Sequence, residues 1–487
     1  MTSPATGELL GSVECFSPAR VAEAAAAARE AQPGWEALGF GGRSRILRSL
    51  RRRLVDDSER VVATIVAETG KPHDAALFGE VAYAARALAF WTRRAEGFLG
   101  ETQSRGFARR ARGGCARYVP RGLVGVIGPW NYPLTTSFGD AIPALMAGNA
   151  VLLKPSELTP FTSGLMADLL LACGAPEGLL QVVTGDAATG AAVVDHADFV
   201  QFTGSTAAGR AVMRRAADTL TPVSLELGGK DPMIVLGDAD LGRAARCAVL
   251  YGFGSSGQAC IAVERVYVER AVHDAFVNRV VTIARELRVG EPVGPGSVEV
   301  GPLVTSAQVA RIDAQVRDAL DRGARVLTGG GRVGDRGTLY EPTVLADVDE
   351  SMLVMREESF GPVLPIRVVR DADEAVTLAN ASPYGLAASV FSGDARRGLQ
   401  IACRLEVGAC CVNDAQTNFF ALELPMGGTK ESGFGSRHGP AGIRKYCREQ
   451  AFVVRRRPPA RPLHRFPYSA RRTRLVRALL RLAARRG

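Results

Sequence analysis

The sequence predicts an α/β protein assembled from parallel strand–helix–strand units. From residue 121 onward, short apolar runs alternate with segments whose apolar residues recur at helical spacing, which is typical of such units. The composition, 47% hydrophobic with 54 glycines, is typical of a folded chain and not of a disordered or fibrous one. A length of 487 residues exceeds what one hydrophobic core supports, so we expect two or three domains.

The elements are predicted in chain order. Helical periodicity over 18–34, 42–68 and 75–98 predicts an opening helical layer. Residues 105–120 surround Gly113-Gly114 with charged and small groups and predict a β-hairpin, whose Phe107 and Tyr118 would pair with another chain or cap the domain. Short apolar strands are predicted at 122–127, 150–153, 180–183, 199–202, 223–227, 233–236 and 447–456. Helices are predicted at 163–173, 207–216, 240–252, 271–287 and 308–322, with a second α/β unit over 339–413.

Net charge is concentrated at the C-terminal end. Residues 457–487 hold ten arginines and no acid, while the rest of the chain balances 50 Lys and Arg against 50 Asp and Glu. The basic balance therefore does not indicate a nucleic-acid-binding protein. Within this tail, apolar residues align along one helical face, and arginines occupy the opposite one: Leu475, Leu479 and Leu482, with Val476 and Leu480 beside them, against Arg474, Arg477, Arg481 and Arg485. The pattern predicts either contact with an anionic membrane surface or docking on the protein itself.

Cysteine and histidine usage predicts a reducing compartment and no metal site. The nine cysteines include no C-x-x-C pair, and the five histidines lack the spacing of metal ligands. The N-terminus carries Glu8 and Glu14 without an apolar h-region, and no stretch approaches the roughly 18 uncharged apolar residues of a membrane span. We therefore expect a cytoplasmic protein, with peripheral membrane contact through the tail as an option.

The stretch 251–268, YGFGSSGQACIAVERVYV, presents Cys260 as a candidate nucleophile. Glycine and serine before a cysteine leave backbone N–H groups free to point toward the group that the sulfur attacks. An apolar alternation that predicts a strand follows. The alternative is a buried small cysteine, the usual state of a free thiol.

Two further stretches suggest nucleotide contacts. FTGSTAAG at 202–209 follows a strand and opens a helix, the setting in which helix N-termini bind phosphate, although a tight strand-to-helix turn has the same pattern. KPSE at 154–157 ends another strand, where its carboxylate would accept ribose hydroxyls and repel a 2′-phosphate. A solvated charge pair is the alternative there.

Two others suggest catalytic groups. In PWNYPL at 129–134, Asn131 would donate its amide to an oxyanion, or simply occupy a turn. In LELGGK at 225–230, Glu226 lies in an apolar strand before a Gly-Gly loop. Such surroundings raise a carboxyl pKa and suit a general base, although a paired structural glutamate is also compatible.

In this order, these stretches together resemble the aldehyde dehydrogenase superfamily over residues 5 to 456. The resemblance is carried by those four motifs and by GQAC at 257–260, EESFGPV at 357–363 and PMGGTKESGFG at 425–435. It implies attack of the Cys260 thiolate on an aldehyde, with the oxyanion held by the Asn131 side chain and the Cys260 N–H. Hydride transfer to nicotinamide would leave a thioester, and Glu226 would activate the water that hydrolyses it.

The resemblance also implies the cofactor contacts and the fold. NAD is expected, with NADP possible, bound by Trp130, Lys154, Glu157, Gly204, Ser205, Gly228, Glu358 and Phe360. The implied fold is a Rossmann-like cofactor domain (1–102 and 121–227), an α/β catalytic domain (228–412) and a small β bridging element (103–120 and 413–456). The bridging element would join subunits into homodimers or homotetramers, and the tail (457–487) follows it.

The substrate is expected to be an apolar or aromatic aldehyde. The family's tunnel helix reads YPLTTSFGDAIPALM here, from Tyr132 to Met146, and lacks the cation that binds the distal carboxylate in some succinate-semialdehyde relatives. Asn418, Phe419 and Phe420 fall where the family closes the tunnel, or only pack beneath the loop. The alternatives are a succinate-semialdehyde enzyme, a CoA-acylating dehydrogenase, which characteristically lacks the base, an acyl-phosphate reductase and a non-enzymatic relative.

Overall fold

A computed structural model describes residues 1–104, 113–334, 337–454 and 466–485. The chain forms two compact units, one of Met1–Leu99 with Pro120–Arg448 and one of Gly100–Val119 with Glu449–Gly487. The first unit contains both large sheets.

The helices, α1 to α17, are Pro18–Ala37, Gly39–Asp56, Ser58–Thr69, His73–Ala76, Ala82–Leu99, Gly139–Met146, Phe161–Ala172, Ala187–His196, Thr206–Asp218, Leu241–Phe253, His273–Arg285, Ser306–Asp321, Leu353–Arg356, Ala372–Asn380, Ala395–Ala402, Gly439–Arg444 and Ala470–Ala484. Wider π turns at Leu77–Val81 and Leu134–Phe138 precede α5 and α6. The prediction of one helical stretch over 42–68 is wrong in one respect, because the chain leaves helical geometry at Asp57 between α2 and α3.

The strands, β1 to β18, are Thr102–Ser104, Gly113–Pro120, Leu123–Ile127, Ala150–Lys154, Leu180–Val182, Phe199–Thr203, Val223–Glu226, Asp231–Val235, Val263–Glu269, Arg325–Thr328, Thr343–Ala346, Val363–Val369, Tyr384–Gly385, Ala387–Phe391, Ala409–Val412, Thr429–Lys430, Gly433–Phe434 and Cys447–Val454. Those predicted between residues 122 and 236 are confirmed to within two residues at each end.

A six-stranded sheet runs in the order β17-β7-β6-β3-β4-β5 and is parallel except for β17. β3, β4 and β6 are buried along their whole length, as expected for strands covered on both faces. Parallel pairing aligns the carboxyl ends of β6 and β7 at one edge, with Thr203 opposite Glu226. That edge carries the candidate base.

A seven-stranded sheet runs in the order β10-β11-β12-β9-β8-β14-β15 and is parallel except for β10. Alternate residues of β8 enter hydrophobic clusters on opposite faces: Ile234 in one, Met233 and Val235 in the other. Burying each such side chain contributes about 1.5–3 kcal/mol. The two parallel sheets confirm the predicted α/β class, while the predicted domain boundaries stay predictions.

The second unit contains the three-stranded sheet β1-β2-β18 and helix α17. The predicted hairpin is present as the antiparallel pair β1 and β2, but Gly114 lies opposite Ser104 within β2. The expectation that Gly113-Gly114 is therefore part of the second strand of this hairpin, and Phe107 lies outside the described residues. The predicted amphipathic helix is confirmed as α17. Among the described helices, none combines the length and apolarity needed to cross a bilayer.

Candidate active site

One cavity of about 740 Å³ in the first unit brings together Asn131, Glu226 and Cys260. These residues come from the loop after β3, the end of β7 and the loop before β9. The same cavity is lined by most of the predicted cofactor contacts: Trp130, Gly204, Ser205, Gly228, Glu358 and Phe360. Lys154 and Glu157 are not among its lining residues.

A tight turn between α10 and β9 presents Cys260. Ser255 and Ser256 adopt left-handed backbone angles, with φ of 51° and 59°. Gly257 has φ +70°, and a Cβ there would lie 2.1 Å from the carbonyl oxygen of Gly361, so only glycine fits. Burial raises the pKa of the Cys260 thiol to about 12, and the Arg437 guanidinium opposes this rise.

The side chain of Asn131 is fixed by its neighbours. Its Nδ2 donates to the backbone carbonyl oxygen of Gln258 at 2.8 Å, and the backbone carbonyl oxygen of Asn131 accepts from Lys71 Nζ at 2.8 Å. An amide nitrogen carries two hydrogens, so one remains for an acceptor in the cavity. Lys71 is ion-paired to Glu80, whose Oε2 accepts from the backbone N–H of Leu134 at 2.8 Å. A buried ion pair thus supports the Asn131 loop from both ends.

Glu226 is a buried carboxylate that accepts no hydrogen bond from the described residues. Its nearest charged partner is Arg437, whose Nη1 lies 3.9 Å from Oε2. Burial raises the pKa of Glu226 to about 7, against the lowering effects of Arg437 and Lys445. Such a carboxyl is poised to accept a proton near neutral pH.

Several features of the cavity fit a dinucleotide. Ser205 caps α9 by accepting from the N–H of Ala208 at 3.3 Å, and the positive end of a helix dipole favours phosphate. The rings of Trp130 and Phe360 meet edge to face at 5.4 Å. Glu358 accepts from the N–H of Gly229 at 3.1 Å, which leaves acceptor capacity for hydroxyl groups.

Gly228 lies directly beside the Glu358 carboxylate, so a larger residue there would displace that side chain. A Cβ at Gly228 would lie 2.7 Å from both oxygens of that carboxylate. Outside the cavity, Lys154 Nζ and Glu157 Oε2 form an ion pair at 3.3 Å, with the Glu157 side chain 62% exposed. The Lys154 side chain is only 7% exposed, so the pair is open to solvent on the Glu157 side alone, where the carboxylate is accessible to a ribose hydroxyl.

The rest of the cavity is mainly apolar. Its lining includes Phe78, Leu250, Tyr251, Val298, Phe419 and Phe420. Asn418 does not line the cavity and instead accepts from the Cys411 thiol at 3.4 Å. Arg311 is the sole cation among the described lining residues, and it acts electrostatically on Glu358.

Sequence reasoning missed Arg437, Lys71 and Glu80. Arg437 follows the motif at 425–435 by two residues, but its partner Asp140 is 297 residues away. Lys71 lies in the connection between α3 and α4, and Glu80 lies in the π turn before α5. For charged residues at either place, solvent exposure is the ordinary expectation. Only tertiary structure brings each of them to the site.

Comparisons with known proteins agree on one family. The model of the aldehyde dehydrogenase family matches residues 1–452. The 4,4'-diapolycopene aldehyde oxidase of Methylomonas sp is 40% identical over 473 residues, spanning 96% of this chain and 88% of that protein. A succinate-semialdehyde dehydrogenase from Burkholderia pseudomallei has a similar structure (TM-score 0.90, 34% identity, 93% of this chain and 94% of that one). So does an NADP dependent enzyme from E. coli (TM-score 0.90, 33% identity, 93% and 94%).

Proposed function

Because the chain belongs to the aldehyde dehydrogenase family, we propose that it oxidises an apolar or aromatic aldehyde to the carboxylic acid through a thioester on Cys260. Family membership makes it an NAD(P)-dependent oxidoreductase acting on aldehydes. The observation that carries the finer proposal is the meeting of Cys260, Asn131 and Glu226 in one cavity.

In the first step the Cys260 sulfur bonds to the aldehyde carbon, and the carbonyl π pair moves onto oxygen. The second amide hydrogen of Asn131 and the backbone N–H of Cys260 stabilise that oxyanion. One such donor is worth about 3 kcal/mol in the transition state. Burial raises the pKa of Cys260 to about 12, so the thiol is protonated at neutral pH and must first give its proton to a base. Glu226 in the same cavity would accept that proton and release it to solvent before hydrolysis.

As the oxyanion re-forms its carbonyl, the aldehyde hydrogen would leave the carbon as hydride, and a thioester on Cys260 would remain. NAD, when bound, would supply the acceptor for that hydride. Its binding would use the α9 N-terminus with Gly204 and Ser205, the ring of Phe360 and the carboxylate of Glu358. We propose NAD over NADP because a 2′-phosphate would meet the negative charge of Glu157, which Lys154 offsets only in part.

In the last step Glu226 removes a proton from water while the water oxygen bonds to the thioester carbon. The C–S bond then breaks, the acid leaves, and Cys260 is regenerated. No described residue donates a hydrogen bond to Glu226, so both of its carboxylate oxygens are available to a water molecule, which supports this role.

The cavity lining supports an apolar substrate. Aromatic and aliphatic side chains such as Phe78, Leu250 and Phe420 line the cavity, and the lining carboxylate of Glu299 is already paired with Arg288. The apolar lining favours an uncharged aldehyde over one bearing a carboxylate. We therefore expect benzaldehyde or a medium-chain alkanal to exceed succinate semialdehyde in kcat/KM by at least about tenfold, which corresponds to about 1.4 kcal/mol. The reverse order would support the succinate-semialdehyde alternative.

NADH formation with purified full-length protein tests the activity. Cys260→Ala should abolish turnover, while the matched control Cys403→Ala, an exposed thiol outside the cavity, should retain it. Acid produced without CoA would exclude the CoA-acylating alternative. Full turnover by the Cys260→Ala variant, or none by the wild type across an aldehyde panel, would contradict the proposal.

We propose a cytoplasmic homodimer or homotetramer assembled through the second unit. β18 is an edge strand of the described sheet, and its Val453 side chain is 78% exposed. Edge strands offer unpaired backbone groups to another chain. If β18 pairs between copies, light scattering should give a lower molar mass for Val453→Pro than for the wild type. An unchanged molar mass would contradict an interface at β18.

We also propose that α17 contacts an anionic membrane surface. Its apolar side chains are exposed, with Leu479 at 49% and Leu480 at 65%. Its described residues include five arginines and no acid. Each arginine near an anionic surface contributes about 1 kcal/mol. Co-sedimentation with phosphatidylglycerol vesicles but not phosphatidylcholine vesicles would support the proposal, and pelleting with neither would point to docking on protein.

A further inference from the structure

A cluster of buried charges lies behind the candidate base. The Arg437 guanidinium forms two bonds to Asp140, Nε to Oδ1 at 2.8 Å and Nη2 to Oδ2 at 2.9 Å. Both side chains are at most 3% exposed. Bidentate geometry of this kind fixes the plane of a guanidinium.

The remaining side of Arg437 is directed toward the cavity. Its Nη2 also donates to Thr203 Oγ1 at 2.7 Å, and its Nη1 lies 3.9 Å from Glu226 Oε2. Thr203 and Glu226 both line the cavity. Arg437 therefore reaches the base through charge, without consuming either of its oxygens in a hydrogen bond.

The other ionisable groups near Glu226 differ in the sign of their charge and in their hydrogen-bond partners. Lys445 is the second cation, but its Nζ donates to Gln201 Oε1 at 2.6 Å and to Ser224 Oγ at 3.4 Å. Asp140 opposes both cations. Tyr83 acts on the cluster as well, and its hydroxyl is hydrogen-bonded to His438 Nε2 at 2.8 Å. Among the cations, Arg437 has the largest effect in lowering the pKa of Glu226.

We propose that Arg437, clamped by Asp140, is the positioning residue that keeps Glu226 ionised and available for thioester hydrolysis. This inference rests on the proposed function, which assigns Glu226 as the base. Arg437 neither gains nor loses a proton. It stabilises the carboxylate before water donates its proton, and it stabilises the protonated carboxyl less, so it sets the pH at which hydrolysis begins.

The experiment separates the two half-reactions in the full-length enzyme with NAD and benzaldehyde. Rapid mixing records an NADH burst from thioester formation, and the steady state that follows reports hydrolysis. In Arg437→Met the NADH burst should survive at stoichiometric amplitude, but it should rise more slowly, because Arg437 also lowers the pKa of the Cys260 thiol. The acid limb of the steady-state rate should move up by about one pH unit, so that the rate at pH 7 falls about fivefold.

Two further variants keep the inference testable if Arg437→Met folds poorly. Arg437→Lys keeps the cation and should restore most of the steady-state rate and the wild-type acid limb. Asp140→Asn removes the opposing anion and should move the acid limb downward. An unchanged acid limb in these variants, with only a lowered thermal midpoint, would overturn the inference and leave Arg437 with a structural role.

Glu226→Gln distinguishes failure of this inference from failure of the proposed function. A burst followed by stalled turnover in Glu226→Gln, with a wild-type profile in Arg437→Met, would overturn only the role of Arg437. Wild-type steady-state turnover in Glu226→Gln would overturn the assignment of the base, and this inference with it.

Discussion

Lys71→Met is expected to damage catalysis through Asn131. Lys71 Nζ donates to the backbone carbonyl oxygen of Asn131 at 2.8 Å, forms an ion pair with Glu80 and lies 3.5 Å from the centroid of the Tyr132 ring. The substitution leaves the Glu80 carboxylate uncompensated at 0% exposure. Breaking one partner of a buried pair costs about 3–5 kcal/mol of stability.

The expected loss of catalytic rate is estimated separately from the loss of stability. The carboxylate of Glu80 holds the N–H of Leu134, so an unpaired Glu80 displaces the segment that carries Asn131. Losing an oxyanion donor lowers kcat by about 10²–10³. We expect Lys71→Met to lower kcat by about 10², and Asn131→Ala to lower it by a similar factor.

A double-mutant cycle distinguishes positioning from general loss of stability. If Lys71 acts through Asn131, Lys71→Met should change kcat little in the Asn131→Ala enzyme, because the donor is already absent. Glu68→Gln is the matched control: Glu68 is buried and bonds Thr162, away from the cavity lining, so it should lower the thermal midpoint without lowering kcat. Equal losses of kcat from Lys71→Met in both backgrounds would refute the reasoning.

Three other predictions concern the base, the cofactor and the tail. The steady-state rate should rise with pH through about 7, because burial raises the pKa of Glu226 to about 7 and only the ionised form accepts a proton from water; a pH profile that is flat from 5 to 9 would contradict this. Glu157→Gln should raise kcat/KM for NADP about tenfold while changing that for NAD less, as measured by initial rates. Leu479→Asp should abolish sedimentation with anionic vesicles, whereas Ala478→Asp, which adds the same charge on the arginine-rich face, should reduce it less.

Local patterns were sufficient for most of the fold. Strands such as β3 and β4 are continuous apolar runs bounded by turn residues, so their type and limits follow from composition and spacing. The local pattern is less precise where long-range pairing decides the structure. The hairpin is predicted over residues 105–120, but its first strand is Thr102–Ser104, because pairing with β2 rather than local composition determines where that strand lies.

The candidate site also contains residues that local patterns identify and residues that only long-range contacts bring there. Cys260, Glu226 and Asn131 lie in short stretches whose composition is unusual enough to single them out. Asn418 was placed with Phe419 and Phe420 at the cavity, yet its side chain points to Cys411, because neighbours in a turn face different directions. The charges that tune the site were not recognised, since a buried arginine and a solvated one have the same sequence signature.

Burial has opposite consequences for the two reacting groups, and Arg437 bears on both. Burial raises the pKa of Glu226 to about 7, so this carboxylate is a stronger base than usual and is still partly ionised at neutral pH. Burial also raises the pKa of the Cys260 thiol to about 12, so little of it is present as thiolate at neutral pH. The guanidinium of Arg437 lowers both values, so one cation assists the nucleophile and the base. Arg437, which supplies this charge, lies outside every motif that carries the resemblance.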